Sequence, residues 1–351
     1  MDGCRSTSFA APPRLIHNSK ALQAKRRPSY RTPVFGCWLR PGLRLDNAGS
    51  LDLAAVLRVA KGELLTNRSS IQCLRTGAVL SRRQFLHASQ TALTAAWFGG
   101  CSLGAKPMLE QTSHRPWLLP DTRWLMFMRW HEVLFLHWPV RPELVRPLIP
   151  REIELETFDG SCWIGVVPFR MSGVRLRYTP FSFAFPELNV RTYVKARGRS
   201  GVWFFSLDAT NWLAVRAARR LGLPYYDAEM EVEVASDGVH YRSARVHKNA
   251  APAEYDASYR PTGAIYRAAA GTLDHWLTER YRLYAAHEPT KVVYGDIHHA
   301  QWPLQPAEVE LRANTMTAPL GIALPDIQPL CHYADYQEVV AWPVVPLDKR
   351  K

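Results

Sequence analysis

The 351-residue chain has no CxxC pair among its six cysteines and no uninterrupted run of about 18 apolar residues. The first absence excludes a zinc ribbon and a disulfide-dense scaffold, and the second excludes a membrane-spanning helix. There is no glycine-rich phosphate loop, no GxGxxG turn and no nucleophile elbow, so nothing points to a nucleotide or to a serine hydrolase. Acidic residues are scarce at one end. Residues 1–106 hold 16 of the 44 Lys and Arg but only 4 of the 31 Asp and Glu, so they carry +12 of the net +13. The rest is electrically balanced, which removes the hint of a nucleic-acid partner that the overall charge gives.

What is present divides the chain in three. Residues 1–78 show neither a helical nor a strand period and contain Pro12-Pro13, Lys25-Arg26-Arg27-Pro28 and Arg40-Pro41-Gly42. Such a stretch cannot bury enough apolar surface to offset the entropy of ordering it. It is expected to be a disordered basic leader, or an extension that the native protein lacks. Residues 79–106 contain Ser81-Arg-Arg-Gln-Phe-Leu86, a mildly apolar run from Ala92 to Phe98, and Gly99-Gly100-Cys101. This resembles a twin-arginine export signal with a lipoprotein cleavage box, although His87 stands where Lys is usual and Phe98 where Leu is usual. The expectation is export to the periplasm, with possible membrane anchoring through a lipidated Cys101. The alternative is a cytoplasmic protein in which Arg82-Arg83 is meaningless. No Met lies between Met1 and Met108, so Val79 or Leu80 is the expected alternative start. In an oxidising compartment Cys162 and Cys331 are free to pair, or to remain two buried thiols.

Residues 107–351 carry short alternating or apolar runs between turn residues. Strands are expected at Val133–Val140, Ile153–Phe158, Cys162–Phe169, Leu188–Ala196, Val202–Leu207, Ala228–Ala235, Val239–Val246 and Ala307–Ala313. Helices are expected at Pro142–Ile149, Thr210–Leu221 and Thr272–Ala286. The fold class is therefore α+β, a mainly antiparallel, barrel-like domain with a few flanking helices.

Several stretches make this part recognisable. Phe135-Leu-His-Trp-Pro-Val140, Thr157-Phe-Asp-Gly160, Val166-Val-Pro-Phe-Arg170, Phe185-Pro-Glu-Leu-Asn-Val-Arg-Thr-Tyr-Val194, Phe204-Phe-Ser-Leu-Asp208, Glu279-Arg-Tyr-Arg-Leu-Tyr284 and Trp302-Pro-Leu-Gln305 resemble the YqjF-like family, domain of unknown function 2071. The resemblance covers nearly all of residues 120–345. It implies a fold similar to acetoacetate decarboxylase, a β-barrel-like domain around an apolar pocket. That enzyme uses a Schiff-base lysine whose amine is kept neutral by a second cation. The matching place reads Leu221-Gly-Leu-Pro-Tyr-Tyr226, with Tyr225 and Tyr226 in place of the lysine pair. The only lysines between Trp117 and Asp348 are Lys195, Lys248 and Lys291. The resemblance places the family's pocket Glu at Glu187 and puts His131 where its Arg stands. Imine chemistry is therefore not expected.

Period two sets Glu187, Asn189, Arg191 and Tyr193 on one face of a strand and Leu188, Val190 and Val194 on the other. Read alone, the polar face fits water as well as a pocket; the resemblance turns it inward. A buried carboxylate beside an apolar wall suits acid/base work, and it must be hydrogen-bonded or paired. The expected site is Glu187 as the acid/base residue, with His131, Asn189, Arg191, Tyr193, Tyr225 and Tyr226 binding the ligand. His137 and Arg170 lie near the same strands with a structural or surface role as the simpler reading. Asp208 reads most simply as part of a helix cap or turn. The adjacent His298-His299 pair is a weak metal candidate, since strand neighbours point apart. No cofactor and no metal are expected. The function expected is binding of a small oxo acid or carbonyl compound in a barrel pocket, and the alternative is an enzyme of lyase or isomerase type using Glu187. The sequence does not give the oligomeric state.

Overall fold

The computed structural model describes residues 106–286 and 291–347. After a short helix α1 (Lys106–Glu110), the chain is mostly strand. In order come β1 (Met126–Val140), α2 (Pro142–Val145) with a 3-10 turn to Leu148, β2 (Glu154–Leu155), β3 (Cys162–Leu176), β4 (Phe183–Ala196), β5 (Arg199–Ala209), α3 (Trp212–Arg220), β6 (Tyr225–Ala235), β7 (Gly238–Arg245) and β8 (Glu254–Pro261). Then follow α4 (Leu273–Thr278), β9 (Arg282–Ala286), β10 (Val292–His298), β11 (Gln305–Asn314), β12 (Leu330–Ala341) and β13 (Val345–Pro346).

Among the described residues the strand pairing returns on itself, running β5–β6–β7–β8–β11–β12–β1–β3–β4 and back to β5. A second circuit leaves β5 through β9 and β10 to reach β12. The closure is uneven. The β11–β12 joint is two residue pairs long, the parallel β5–β6 joint three and the parallel β5–β9 joint two. Gly201 allows the last of these, because a side-chain carbon there would stand 2.4 Å from the Arg282 carbonyl oxygen.

The strands separate two cores. The larger takes Leu134, Leu136, Ile164, Val166, Leu188 and Val190 together with Tyr241, Tyr255 and Tyr259, and draws on every strand of the first circuit. The second holds Phe135, Val167, Phe169, Ala209, Trp302 and Ala334. Alternation along β1, β3 and β4 assigns successive residues to one core or the other.

Most expected strands are present with longer ends, while Ile153–Phe158 shrinks to β2. Five strands were not foreseen: β8, β9, β10, β12 and β13. The expected helix Thr272–Ala286 stops early. Thr272 caps α4 by accepting from the His275 N–H at 3.3 Å, the chain leaves the helix at Glu279, and Arg282–Ala286 is β9. Pairing on both sides of β9 overrides its local helical pattern. Asp208 is not a cap: Asn211 accepts from the Ala214 N–H at 3.0 Å, and Asp208 is a strand residue. Cys162 and Cys331 are free thiols, not a disulfide. The expectations for residues 1–78 and 79–105, the export signal and Cys101 included, lie outside the described residues.

Candidate functional site

β4 lies between β3 and β5 and brings its polar face against the second core. Glu187 stands opposite Phe169 on β3 and Ala209 on β5, and Asn189 opposite Val167 and Leu207. Glu187, Asn189 and Tyr193 are buried and Arg191 is half-buried. Leu188, Val190 and Val194 point into the larger core. The polar row therefore does not enter the centre of the nine-strand circuit, which is filled by apolar and tyrosine side chains. It faces the layer closed by β12, Trp302 and α4.

Glu187 is the most perturbed carboxyl of this face. Burial raises its pKa from the usual 4.5 to about 8, helped by the charge of Asp208 and opposed by one hydrogen bond. That bond comes from the Tyr225 hydroxyl, which donates to Glu187 Oε2 at 2.7 Å. The Tyr241 hydroxyl donates to the backbone oxygen of Glu187 at 2.9 Å from the other core. Glu187 is thus held on both sides and is largely protonated at neutral pH. A carboxylic acid in that state can give or take a proton near pH 7.

Arg191 lies over aromatic faces, with its Cζ 5.3 Å from the Phe135 ring centre and 5.9 Å from that of Tyr193. Its Nε is buried without a hydrogen-bond partner. Gly165 stands opposite it on β3, and a side-chain carbon there would come within 3.2 Å of both Arg191 and His137. The Tyr193 hydroxyl donates to the Leu277 carbonyl at 2.9 Å and lies 2.7 Å from His137 Nε2. Because that proton goes to the carbonyl, the His137 Nε2–H donates to the phenol oxygen, which leaves Nδ1 as a bare acceptor. Burial and the Arg191 charge push the His137 pKa well below its ordinary value, so the ring is neutral. His332 lies 6.4 Å from it, ring centre to ring centre, with Nε2 3.0 Å from Asp274 Oδ1. The buried atoms His137 Nδ1, His332 Nδ1, Asn189 Oδ1 and Trp302 Nε1 have no partner. Buried polar atoms left unpaired are uncommon, and although others lie elsewhere among the described residues, these four together with Arg191 Nε give this region free donors and acceptors.

The other expected residues lie elsewhere. His131 contacts Ser172 Oγ at 2.8 Å and packs its ring edge against Tyr336 beside the bulge at Glu132. Arg170 makes a two-pronged bond to Glu132 at 2.8 and 2.5 Å. Tyr226 points away from Tyr225, as strand neighbours must, and packs among Arg219, Arg245 and His247. It adjoins a surface cleft of about 390 Å3 lined by Arg216, Arg219, Arg220, Asp227, His247 and Lys248. His298 and His299 are spent on other contacts: Met108 O at 2.9 Å for His298, Ala300 O at 2.7 Å for His299. Among the described residues no three His, Cys, Asp or Glu side chains are grouped to hold a metal. Lys195 lies near the end of β4, and Lys248 and Lys291 are exposed. Sequence reasoning missed His332, Asp274 and Tyr241, which reach this region from distant strands and a helix. Only Trp302 had a local signal, in its Trp-Pro-Leu-Gln motif.

The family model described as an uncharacterized conserved protein, DUF2071, matches residues 127–338. The chain is 46% identical over 241 residues to the uncharacterized protein YqjF of Bacillus subtilis strain 168, covering 68% of this chain and 98% of that one. Among solved structures, the enduracididine biosynthesis enzyme MppR complexed with pyruvate overlaps 66% of this chain and 93% of its own, with TM-score 0.45 and 11% identity. An acetoacetate decarboxylase-like enzyme from Sphingomonas wittichii RW1 overlaps 65% and 95%, with TM-score 0.44 and 12% identity. Acetoacetate decarboxylase from Legionella pneumophila overlaps 65% and 93%, with TM-score 0.43 and 15% identity.

Proposed function

This chain belongs to the DUF2071 family of uncharacterized conserved proteins, and we propose that it binds a small oxo acid or related carbonyl compound at the polar face of β4. In this reading the uneven strand circuits act as a barrel-like wall, and the ligand sits on the second core rather than in the first. Arg191 carries the argument. Arg245 and Arg282 meet carboxylates in two-pronged bonds at 2.7–2.8 Å, whereas Arg191 faces aromatic rings with a buried, unpartnered Nε. A half-buried cation whose buried Nε–H lacks an acceptor is left partly unsatisfied, and a ligand carboxylate supplies both the acceptor and the counter-charge. The protonated Glu187, held by the bond from the Tyr225 hydroxyl, would then donate to the carbonyl oxygen. Lys195, which alternation puts on the same side of β4, stands at the strand's far end opposite Glu154 and Ser200, away from Glu187, so the reading includes no imine. Export by the twin-arginine route, with Cys101 as an anchor, belongs to the same proposal.

A second reading, catalysis, draws on one observation: the Glu187 pKa of about 8 lies in the range that general acid/base work near neutrality needs. A thermal-shift screen of small oxo acids and ketones, pyruvate among them, followed by NMR of each hit, separates the two. Ligand recovered unchanged supports binding. Conversion that disappears in Glu187→Gln supports catalysis. Arg191→Met is expected to abolish the shift. Ligand effects intact in both variants would remove the site.

A further inference from the structure

The connection between β3 and β4 carries apolar side chains that the fold does not use. Leu176, Tyr178, Phe181 and Phe183 are 43%, 67%, 72% and 47% exposed. Leu125 adjoins them: its carbonyl accepts from the Arg177 N–H at 2.7 Å, and it is itself 38% exposed. The turn is hydrogen-bonded, the Thr179 hydroxyl and N–H each donating to the Leu176 carbonyl at 3.1 Å. Single exposed leucines are ordinary, but a contiguous apolar tip of this kind marks an interaction surface.

Cations surround the tip. Arg123 donates to the Tyr178 hydroxyl at 3.3 Å, Arg175 stacks 4.3 Å over Phe127 and Arg177 stacks 4.5 Å over Trp124. None of the three meets a carboxylate among the described residues. The start of the described chain enters beside them. Met108 of α1 packs with Trp124 and Phe127, the rings that Arg177 and Arg175 cover. Cys101 precedes Lys106 by five residues, a reach of about 18 Å when extended.

We propose that this face docks on an anionic phospholipid bilayer. The aromatic tip enters the interface, where amphipathic rings are favoured, and Arg123, Arg175 and Arg177 meet lipid phosphates. A second copy of the chain is a poorer occupant, because a two-fold contact would oppose these cations to their own kind. An acyl chain on Cys101 would hold the domain with this face turned to the lipid.

The test uses the full chain carrying Cys101→Ala, which removes any acyl anchor, and phosphatidylcholine vesicles with about 30% phosphatidylglycerol. The three exposed aromatics are replaced together, Tyr178→Ser, Phe181→Ser and Phe183→Ser, and an unchanged melting transition shows that the fold is kept. The basic residues 1–106 are common to both forms, so the difference reports the tip. The replacement is expected to lower vesicle partitioning roughly tenfold, and in the parent form vesicles should slow amide exchange at residues 174–184. Equal partitioning of the two forms, no vesicle binding by the parent, or no protection of that segment overturns the proposal. So does a variant that dissociates a dimer in sedimentation while its vesicle binding stays the same. Should the triple variant misfold, Phe181→Ser alone and the exchange pattern of the parent decide the matter.

Discussion

At Glu187 two opposing influences meet on one carboxyl group. Burial favours the neutral acid, while the bond donated by Tyr225 favours the anion, and burial wins to leave the pKa at about 8. The folded chain therefore keeps a proton that the unfolded chain loses above pH 4.5. Stability from this group is greatest at acid pH and falls as pH rises from about 4.5 towards about 8, by on the order of a few kcal/mol. Glu187→Gln is expected to flatten that part of the profile, so that the variant gains on the parent in melting temperature between pH 5 and 8. Melting curves across that range check it; parallel profiles would mean that Glu187 is ionised throughout. At this scale the sequence was informative. Alternation alone placed Glu187, Asn189, Arg191 and Tyr193 together, and they do share a face. It did not separate Tyr225 from His131 and Tyr226, because partners drawn from other strands depend on pairings that no local pattern encodes.

Among the elements, β5 and β7 do not pair, yet Arg245 at the end of β7 clamps Asp208 of β5 through bonds of 2.8 and 2.7 Å. The two side chains are 4% and 0% exposed. Removing one partner leaves the other charge buried and alone, so Arg245→Met is expected to destabilise by about 3–5 kcal/mol. Adding Asp208→Asn should recover part of that loss, which denaturant titration of the single and double variants will show. This clamp was invisible beforehand, since Asp before a helix reads most simply as a cap. β8 was missed for a related reason. Its inward residues are Tyr255, Ala257 and Tyr259, which alternate correctly but lack the Val and Ile that signal a strand. β12 was missed because Ala334-Asp-Tyr-Gln-Glu338 interrupts its apolar pattern, although the strand lies centrally between β1 and β11.

For the molecule as a whole, the charge asymmetry and the signal-like residues 79–106 bear on its location. If the export proposal holds, protein purified from its native cells begins at Cys101, and N-terminal sequencing or intact mass reads this directly. A mature chain that still carries residues 1–78 would defeat it. The amino-acid order by itself indicated a mostly stranded fold with few helices, that β4 has one polar and one apolar face, and that no lysine pair stands at Tyr225-Tyr226. It could do so because alternation and residue identity are local properties. Only the tertiary structure decided which of two cores the polar face of β4 enters, and that Tyr225, His137 and Asp274-bound His332 gather around it. A two-residue period makes two sides without saying which is covered; the covering comes from strands up to about two hundred residues apart in the chain, joined by register and closure rather than by anything in their own sequences.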